Sequence, residues 1–168
     1  DHRMRPSLVV EKDQYSASAI RTSMNCWVDH DYDPVIRGLA DRIADLVGLP
    51  LTRAEWFQVV KYGAGQEYQP HLDAFQHGEA GGERAMRNGG QRLVTVLIYL
   101  NSLAEGGETG FPNLGIKVPP KRGRIAVFHN CLPGTNYGHP YSMHGGMPVP
   151  ESGDQNKYIA NLWFRERQ

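Results

Sequence analysis

The sequence predicts a mainly β fold, a sandwich or barrel of short strands with helix packed outside it. Three observations predict it. Several segments carry the β-branched and apolar character of strands. Nineteen glycines and eleven prolines gather in clusters between them. Only one segment keeps a long helical period.

The helix is expected over residues 33–48. Asp33 is a good N-cap and Pro34 a good first helical residue, because a proline's missing N–H is unpaired there anyway. Val35, Ile36, Leu39, Ala40, Ile43, Leu46 and Val47 recur at helical spacing, and Gly48 followed by Pro50 stops the run. Its apolar stripe is expected to pack on a sheet. Thr52 and Glu55 are expected to cap a short second helical turn. Strands follow at Phe57–Tyr62, Arg92–Leu100, Ile116–Val118, Ile125–His129, Met143–Met147 and Lys157–Arg165. The second of these is apolar enough to be central and covered on both faces. The turns between them hold Glu105-Gly106-Gly107, Pro119 to Gly123 and Pro133-Gly134. Residues 76–90, with five glycines and mixed charge, read as a mobile surface loop.

Bulk properties narrow the function. At 168 residues the chain suits one domain with a real core. Eighteen basic residues balance eighteen acidic ones, which gives no electrostatic reason to expect nucleic acid as a partner. No apolar run is long enough to cross a bilayer as a helix, and no signal peptide is visible. The expectation is therefore no membrane partner and a cytoplasmic location. Cys26 and Cys131 fit neither a zinc knuckle nor a disulfide-dense scaffold and read as two reduced thiols.

Chemistry concentrates in Tyr68-Gln69-Pro70-His71-Leu72-Asp73. On a strand, residues two apart share a face, so His71 and Asp73 can converge on one ion. An imidazole and a hard carboxylate make two-thirds of the facial triad of non-haem Fe(II) oxygenases. By itself His-x-Asp is common by chance. The third ligand is sought among His129, His139 and His144, since His2 is near the terminus, His77 sits in the 76–90 loop and His30 in another polar loop. His144 opens a run that is expected to form a hairpin with the strand from Lys157, its turn lengthened by residues 150–154. On that strand Lys157, Ile159, Asn161 and Trp163 share one face. A lysine on an inward face is costly unless it meets an anion, and a dicarboxylate is such an anion. The competing reading leaves Lys157 in solvent and Trp163 as plain core.

Several blocks resemble the prolyl 4-hydroxylases of the 2-oxoglutarate/Fe(II) family. They are Tyr62 to Asp73, Arg92 to Leu100, Gly106-Gly107-Glu108-Thr109-Gly110-Phe111-Pro112, Pro120-Lys121-Arg122-Gly123 through Phe128, and His144 to Lys157 to Trp163. Arg5-Pro6-Ser7 and Arg21-Thr22-Ser23 are also similar, so the resemblance runs in order from about residue 5 to 167. It implies a double-stranded β-helix, or jelly roll, with flanking helices. It implies Fe(II) on His71, Asp73 and His144, and Lys157 pairing the distal carboxylate of 2-oxoglutarate, helped by Tyr62 and Thr109. Tyr68, Arg92 and Trp163 would line the peptide-proline side, and Arg21 with the 76–90 loop would close over it. The implied reaction consumes O2 and 2-oxoglutarate, releases succinate and CO2, hydroxylates a prolyl residue of a peptide or protein, and uses ascorbate as a reductant. A collagen-type enzyme of a eukaryote would instead work in the endoplasmic reticulum lumen. Little precedes Arg5 here, whereas the family usually has a helix and strand there. Residues 1–168 therefore read as one catalytic domain, either truncated at its N-terminus or with different support for the sheet. A lysyl side chain or small molecule as target of the same iron chemistry, and a non-catalytic jelly-roll binding module, are the alternatives.

Overall fold

A computed structural model of the chain describes residues 3–7, 9–11, 14–16, 21–152 and 155–168. His2 and residues 153–154 of the expected turn lie outside the described residues. The strands in chain order are β1 (Arg5–Pro6), β2 (Val9–Glu11), β3 (Gln14–Ser16) and β4 (Met24–Val28), then helix α1 (Pro34–Val47), β5 (Phe57–Tyr62) and β6 (Tyr68–His71). Helix α2 (Ala80–Arg87) follows, then β7 (Arg92–Tyr99), β8 (Thr109–Phe111), β9 (Ile116–Val118), β10 (Ile125–His129), β11 (His144–Gly146) and β12 (Lys157–Arg165).

Two antiparallel sheets face each other. The major sheet has six strands in the order β1-β4-β5-β12-β7-β10, and the minor sheet four in the order β6-β11-β8-β9. A separate pair, β2 and β3, forms a third small sheet. This is the expected mainly β jelly roll with helix on its outside. α1 begins and ends as its caps require. Asp33, in extended backbone, accepts from the amides of Val35 and Ile36, and Gly48 closes the helix in the left-handed region at φ 68°.

Strand alternation then sorts the major sheet into two faces. Outward, Val94, Val96, Ile98, Ala160, Leu162 and Phe164 meet Ala40, Ile43 and Ala44 of α1 in one core. Inward, Val60, Tyr62, Leu97, Tyr99 and Ile159 form a second core between the sheets, closed by Val149. Each fully buried side chain of this size contributes about 1.5–3 kcal/mol. One face of the sheet is thus spent on stability, and the other is free to carry chemistry.

Three expectations need correction. β11 and β12 do not form a hairpin: β11 pairs with β6 and β8 in the minor sheet, β12 with β5 and β7 in the major one. The segment between them crosses from one sheet to the other, and Pro148 and Pro150 along it lack the N–H groups a ladder needs. Residues 76–90 are not a loop throughout, since α2 occupies most of them. Thr52 and Glu55 do not cap a helix. The turn there is a three-residue 3-10 segment, Leu51–Arg53, with no side-chain cap, and Glu55 is committed elsewhere.

Candidate active site

β6 and β11 lie side by side with His71 directly opposite His144. Asp73 lies in the bend just past the end of β6, so its approach to His71 comes from a turn and not from strand alternation. The three side chains each offer a ligand atom within 4.8 Å of the others. His71 Nε2 stands 3.5 Å from Asp73 Oδ1, and His144 Nε2 3.5 Å from Asp73 Oδ2. The two remaining ring nitrogens face backbone carbonyls, His71 Nδ1 on Gln69 O at 2.9 Å and His144 Nδ1 on Ser142 O at 2.8 Å. A carbonyl only accepts, so Nδ1 carries the proton in each ring and both Nε2 lone pairs point at the same space. Gly145 is required between the strands, because a Cβ there would come within 2.8 Å of Tyr68 O.

Asp73 is held from behind. Its Oδ2 accepts from Thr95 Oγ1 at 2.8 Å and from Trp163 Nε1 at 2.9 Å, and Asn130 Nδ2 in turn donates to Thr95 Oγ1 at 2.8 Å. Burial opposes its ionisation, but the neighbouring His144, His71 and Arg92 outweigh that and hold the carboxyl well below its ordinary value. Burial lowers His144. Both shifts favour the protonation states a metal needs, an anionic carboxylate and a neutral imidazole. The donor set therefore fits Fe(II), whose usual protein site is two histidines and one carboxylate on one face.

These ligands open onto a cavity of about 620 Å³ between the sheets. Lys157 stands on its inner wall at 1% exposure, opposite Tyr62 in the register of β12 and β5. Its ammonium lies 4.9 Å from the centre of the Tyr62 ring and 6.0 Å from that of Tyr99. No carboxylate among the described residues is within ion-pair distance. Burial pushes its pKa down to about 8, partly opposed by Glu108. Such a cation is poised for an anion entering the cavity. Burial lifts the Tyr62 phenol to about 12, so it stays a neutral donor beside it. Thr109 lines the same end, with its hydroxyl 2.7 Å from that of Tyr99. Asn161 Oδ1, also on the cavity wall, is buried without a partner. A 2-oxoglutarate-sized dicarboxylate fits this polar end.

The opposite side is aromatic and cationic. Tyr68 stacks on His71 with centroids 3.7 Å apart. The Arg92 guanidinium covers the Trp163 ring at 3.8 Å and meets Glu55 in a two-pronged ion pair at 2.6 and 2.7 Å. Arg21 is no outer flap: it is buried, bonded to Gln58 and Ser23, with its guanidinium 4.7 Å from the Tyr68 ring centre. The other histidines considered for the metal lie apart from it. His139 accepts from Tyr141 N in a 3-10 turn, and His129 is exposed at the end of β10. Cys26 and Cys131 are both free.

Sequence reading missed Thr95, Asn130 and Glu55. Thr95 had a visible signal, a small hydroxyl side chain amid the apolar run Leu93 to Ile98. Asn130 and Glu55 had none, because their partners are 35 and 37 residues away.

Fold and site together define a non-haem iron oxygenase, and the chain belongs to the 2OG-Fe(II) oxygenase superfamily, whose family model matches residues 57–165. A putative prolyl 4-hydroxylase of Acanthamoeba polyphaga mimivirus is 42% identical over 149 residues, covering 89% of this chain and 60% of that protein. Probable prolyl 4-hydroxylase 10 of Arabidopsis thaliana is 34% identical, covering 98% of this chain and 61% of that protein. The chain thus spans about three-fifths of the length of these curated relatives. Among solved structures, the viral collagen prolyl hydroxylase of Paramecium Bursaria Chlorella virus-1, in its 2OG complex, superposes with a TM-score of 0.72 at 30% identity, covering 86% of this chain and 79% of that one.

Proposed function

We propose that this chain is the catalytic domain of a 2-oxoglutarate- and Fe(II)-dependent hydroxylase acting on prolyl residues of a peptide or protein. One observation carries the reading: a His-Asp-His ligand set and a buried lysine without a carboxylate partner share one cavity. A metal-binding module alone has no use for the second. The prolyl target is supported by the relatives' names and by the Tyr68, Arg92 and Trp163 wall, a rigid surface suited to a proline ring.

When bound, iron and 2-oxoglutarate supply oxidative decarboxylation coupled to insertion of one oxygen atom into substrate. The chain's own residues supply orientation. His71, Asp73 and His144 would hold the iron through two imidazole nitrogens and one carboxylate oxygen. Lys157 would hold the distal carboxylate of 2-oxoglutarate by a charge-assisted bond, and Tyr62 beside it would add its neutral O–H as a donor. Trp163 has two tasks: its ring faces the cavity while its Nε1–H fixes Asp73. Leu97 and Ile159 add an apolar stretch to the cavity wall.

The test is incubation with Fe(II), 2-oxoglutarate, ascorbate and a panel of proline-containing peptides. The expected result is succinate formation together with peptides heavier by one oxygen atom at proline. Succinate that no peptide stimulates, with modification of lysine or of a small molecule instead, would move the target while leaving the iron chemistry in place.

A further inference from the structure

Arg165 has no part in the chemistry above, yet it makes more hydrogen bonds than any ligand residue. It ends β12, two residues beyond Trp163, and pairs directly across the sheet with Arg92. Two arginines opposite one another repel. Glu55 lies between them, taking Arg92 through both oxygens and Arg165 Nη1 at 3.0 Å. Glu55 alone does not neutralise two guanidiniums, the side chains of all three are mostly buried, and although Asp73 adds its negative charge near Arg92, no second carboxylate among the described residues reaches Arg165. The balance comes from main-chain dipoles. Arg165 Nη2 is surrounded by the carbonyl oxygens of Ala85 at 2.8 Å, Asn88 at 2.6 Å and Gly90 at 2.7 Å, and its Nε adds 3.1 Å to Gly90. The Ala85 and Asn88 carbonyls lie at the C-terminal end of α2, where a cation is favoured, and that of Gly90 lies in the turn just beyond it.

Beyond Arg165, few side chains reach α2: Arg167 Nη2 donates to Met86 O at 3.3 Å and Gln91 Nε2 to the Met86 sulfur at 3.6 Å. The helix's N-cap Glu79 makes no side-chain cap bond, two of its eight residues are glycine, and Met86 is its one buried side chain. Gly89 and Gly90, both at positive φ, lead from it to β7. Yet α2 lines the same cavity as the metal ligands, through Gly81, Gly82, Arg84 and Ala85.

We infer that Arg165 is a positioning residue that latches α2 to the Glu55–Arg92 pair and so sets the substrate-side wall of the cavity. This rests on the prolyl-hydroxylase reading for its substrate, though not for the latch itself. A planar fork spans the carboxylate and three carbonyls at once, whereas a lysine keeps the charge but has its three donors on one nitrogen and cannot span them. Arg165→Lys should therefore free α2 without emptying the site of charge. Amide hydrogen exchange across residues 80–88 should quicken while that of 94–99 stays as in the wild type. The peptide KM should rise about tenfold, and peptide-free turnover of 2-oxoglutarate should stay within about twofold. An unchanged peptide KM, or an equal loss of peptide-free turnover, overturns the latch as a substrate-wall device. If the variant gives no cooperative melt, the wild type decides: bound peptide should slow exchange at 80–88, and unslowed exchange overturns the inference. A wild type inactive on every prolyl peptide would sink the substrate reading instead. Exchange at 80–88 in Arg165→Lys would still judge the latch, and unchanged exchange there would reject it.

Discussion

The two sides of the cavity are built differently. The side bearing Lys157, Tyr62 and Asp73's support is set by sheet register: Lys157 opposite Tyr62, Trp163 opposite Thr95, His71 opposite His144. Lys157, Tyr62, His71 and His144 stand at the ends of their strands and are held by the ladder from one side, whereas Thr95 and Trp163 lie within theirs and are held from both. On the other side Tyr68, Arg92 and Trp163 stand on strands, but the α2 wall facing them is set by single side chains reaching backbone carbonyls, Arg165 to the end of α2 and Gln91 to Phe75 and Asn136. Register suits groups that must meet a metal and a small dicarboxylate to within fractions of an ångström. Side-chain latches suit a wall that has to admit a peptide.

Breaking the register-built side should produce the largest losses. His144→Ala or His71→Ala is expected to reduce Fe(II)-dependent succinate formation to background, and retained turnover would refute the ligand set. Next, Lys157→Met should raise the 2-oxoglutarate requirement roughly 10–150-fold, from a charge-assisted pair of about 1.5–3 kcal/mol. Titration of co-substrate binding by calorimetry would show it. The same change should stabilise the empty chain by about 1–3 kcal/mol, because it removes a buried cation with no counter-ion. The sign with pH follows. The folded pKa is about 8 and the ordinary value 10.5, so between them the unfolded chain holds more protons. The empty wild type should therefore gain stability as pH rises from about 8 towards 10.5, while 2-oxoglutarate binding weakens over the start of that range. A melt series showing the opposite slope would refute a depressed Lys157.

Smaller effects separate support from ligation. Thr95→Val removes the donor to Asp73 without touching a ligand atom and should weaken Fe(II) binding about 10–100-fold, measured by metal competition. On the latch-built side, Gln91→Leu takes the Gln91 partner from the Phe75 and Arg92 amides and from the Phe75 carbonyl, while Asn136 O keeps His77. It should cost about 1–3 kcal/mol in denaturant unfolding, with metal affinity preserved. The smallest change is Asp33→Ala, which loses the α1 cap for about 1 kcal/mol and leaves every site property intact, since α1 packs on the far face of the major sheet.

Much of this was legible from local pattern. Asp33, Pro34 and Gly48 bounded α1 because caps act within one turn of the chain. The inward face of Lys157, Ile159, Asn161 and Trp163 followed from the two-residue period of a strand. The metal triad followed from His71 and Asp73 lying near each other in sequence, with a family resemblance choosing His144. Residues 76–90 show the limit. Their glycines and charges argue against structure, and α2 forms because Arg165, some eighty residues away, satisfies the carbonyls at its end. The partition of β11 and β12 into different sheets was equally hidden. Sequence specifies which way a strand's side chains alternate, but the strand's neighbour is decided by burial over the whole chain. That same long-range choice brought Glu55 and Arg165 to the cavity wall and Thr95 and Asn130 behind Asp73. Their roles exist only once strands distant in sequence share a sheet.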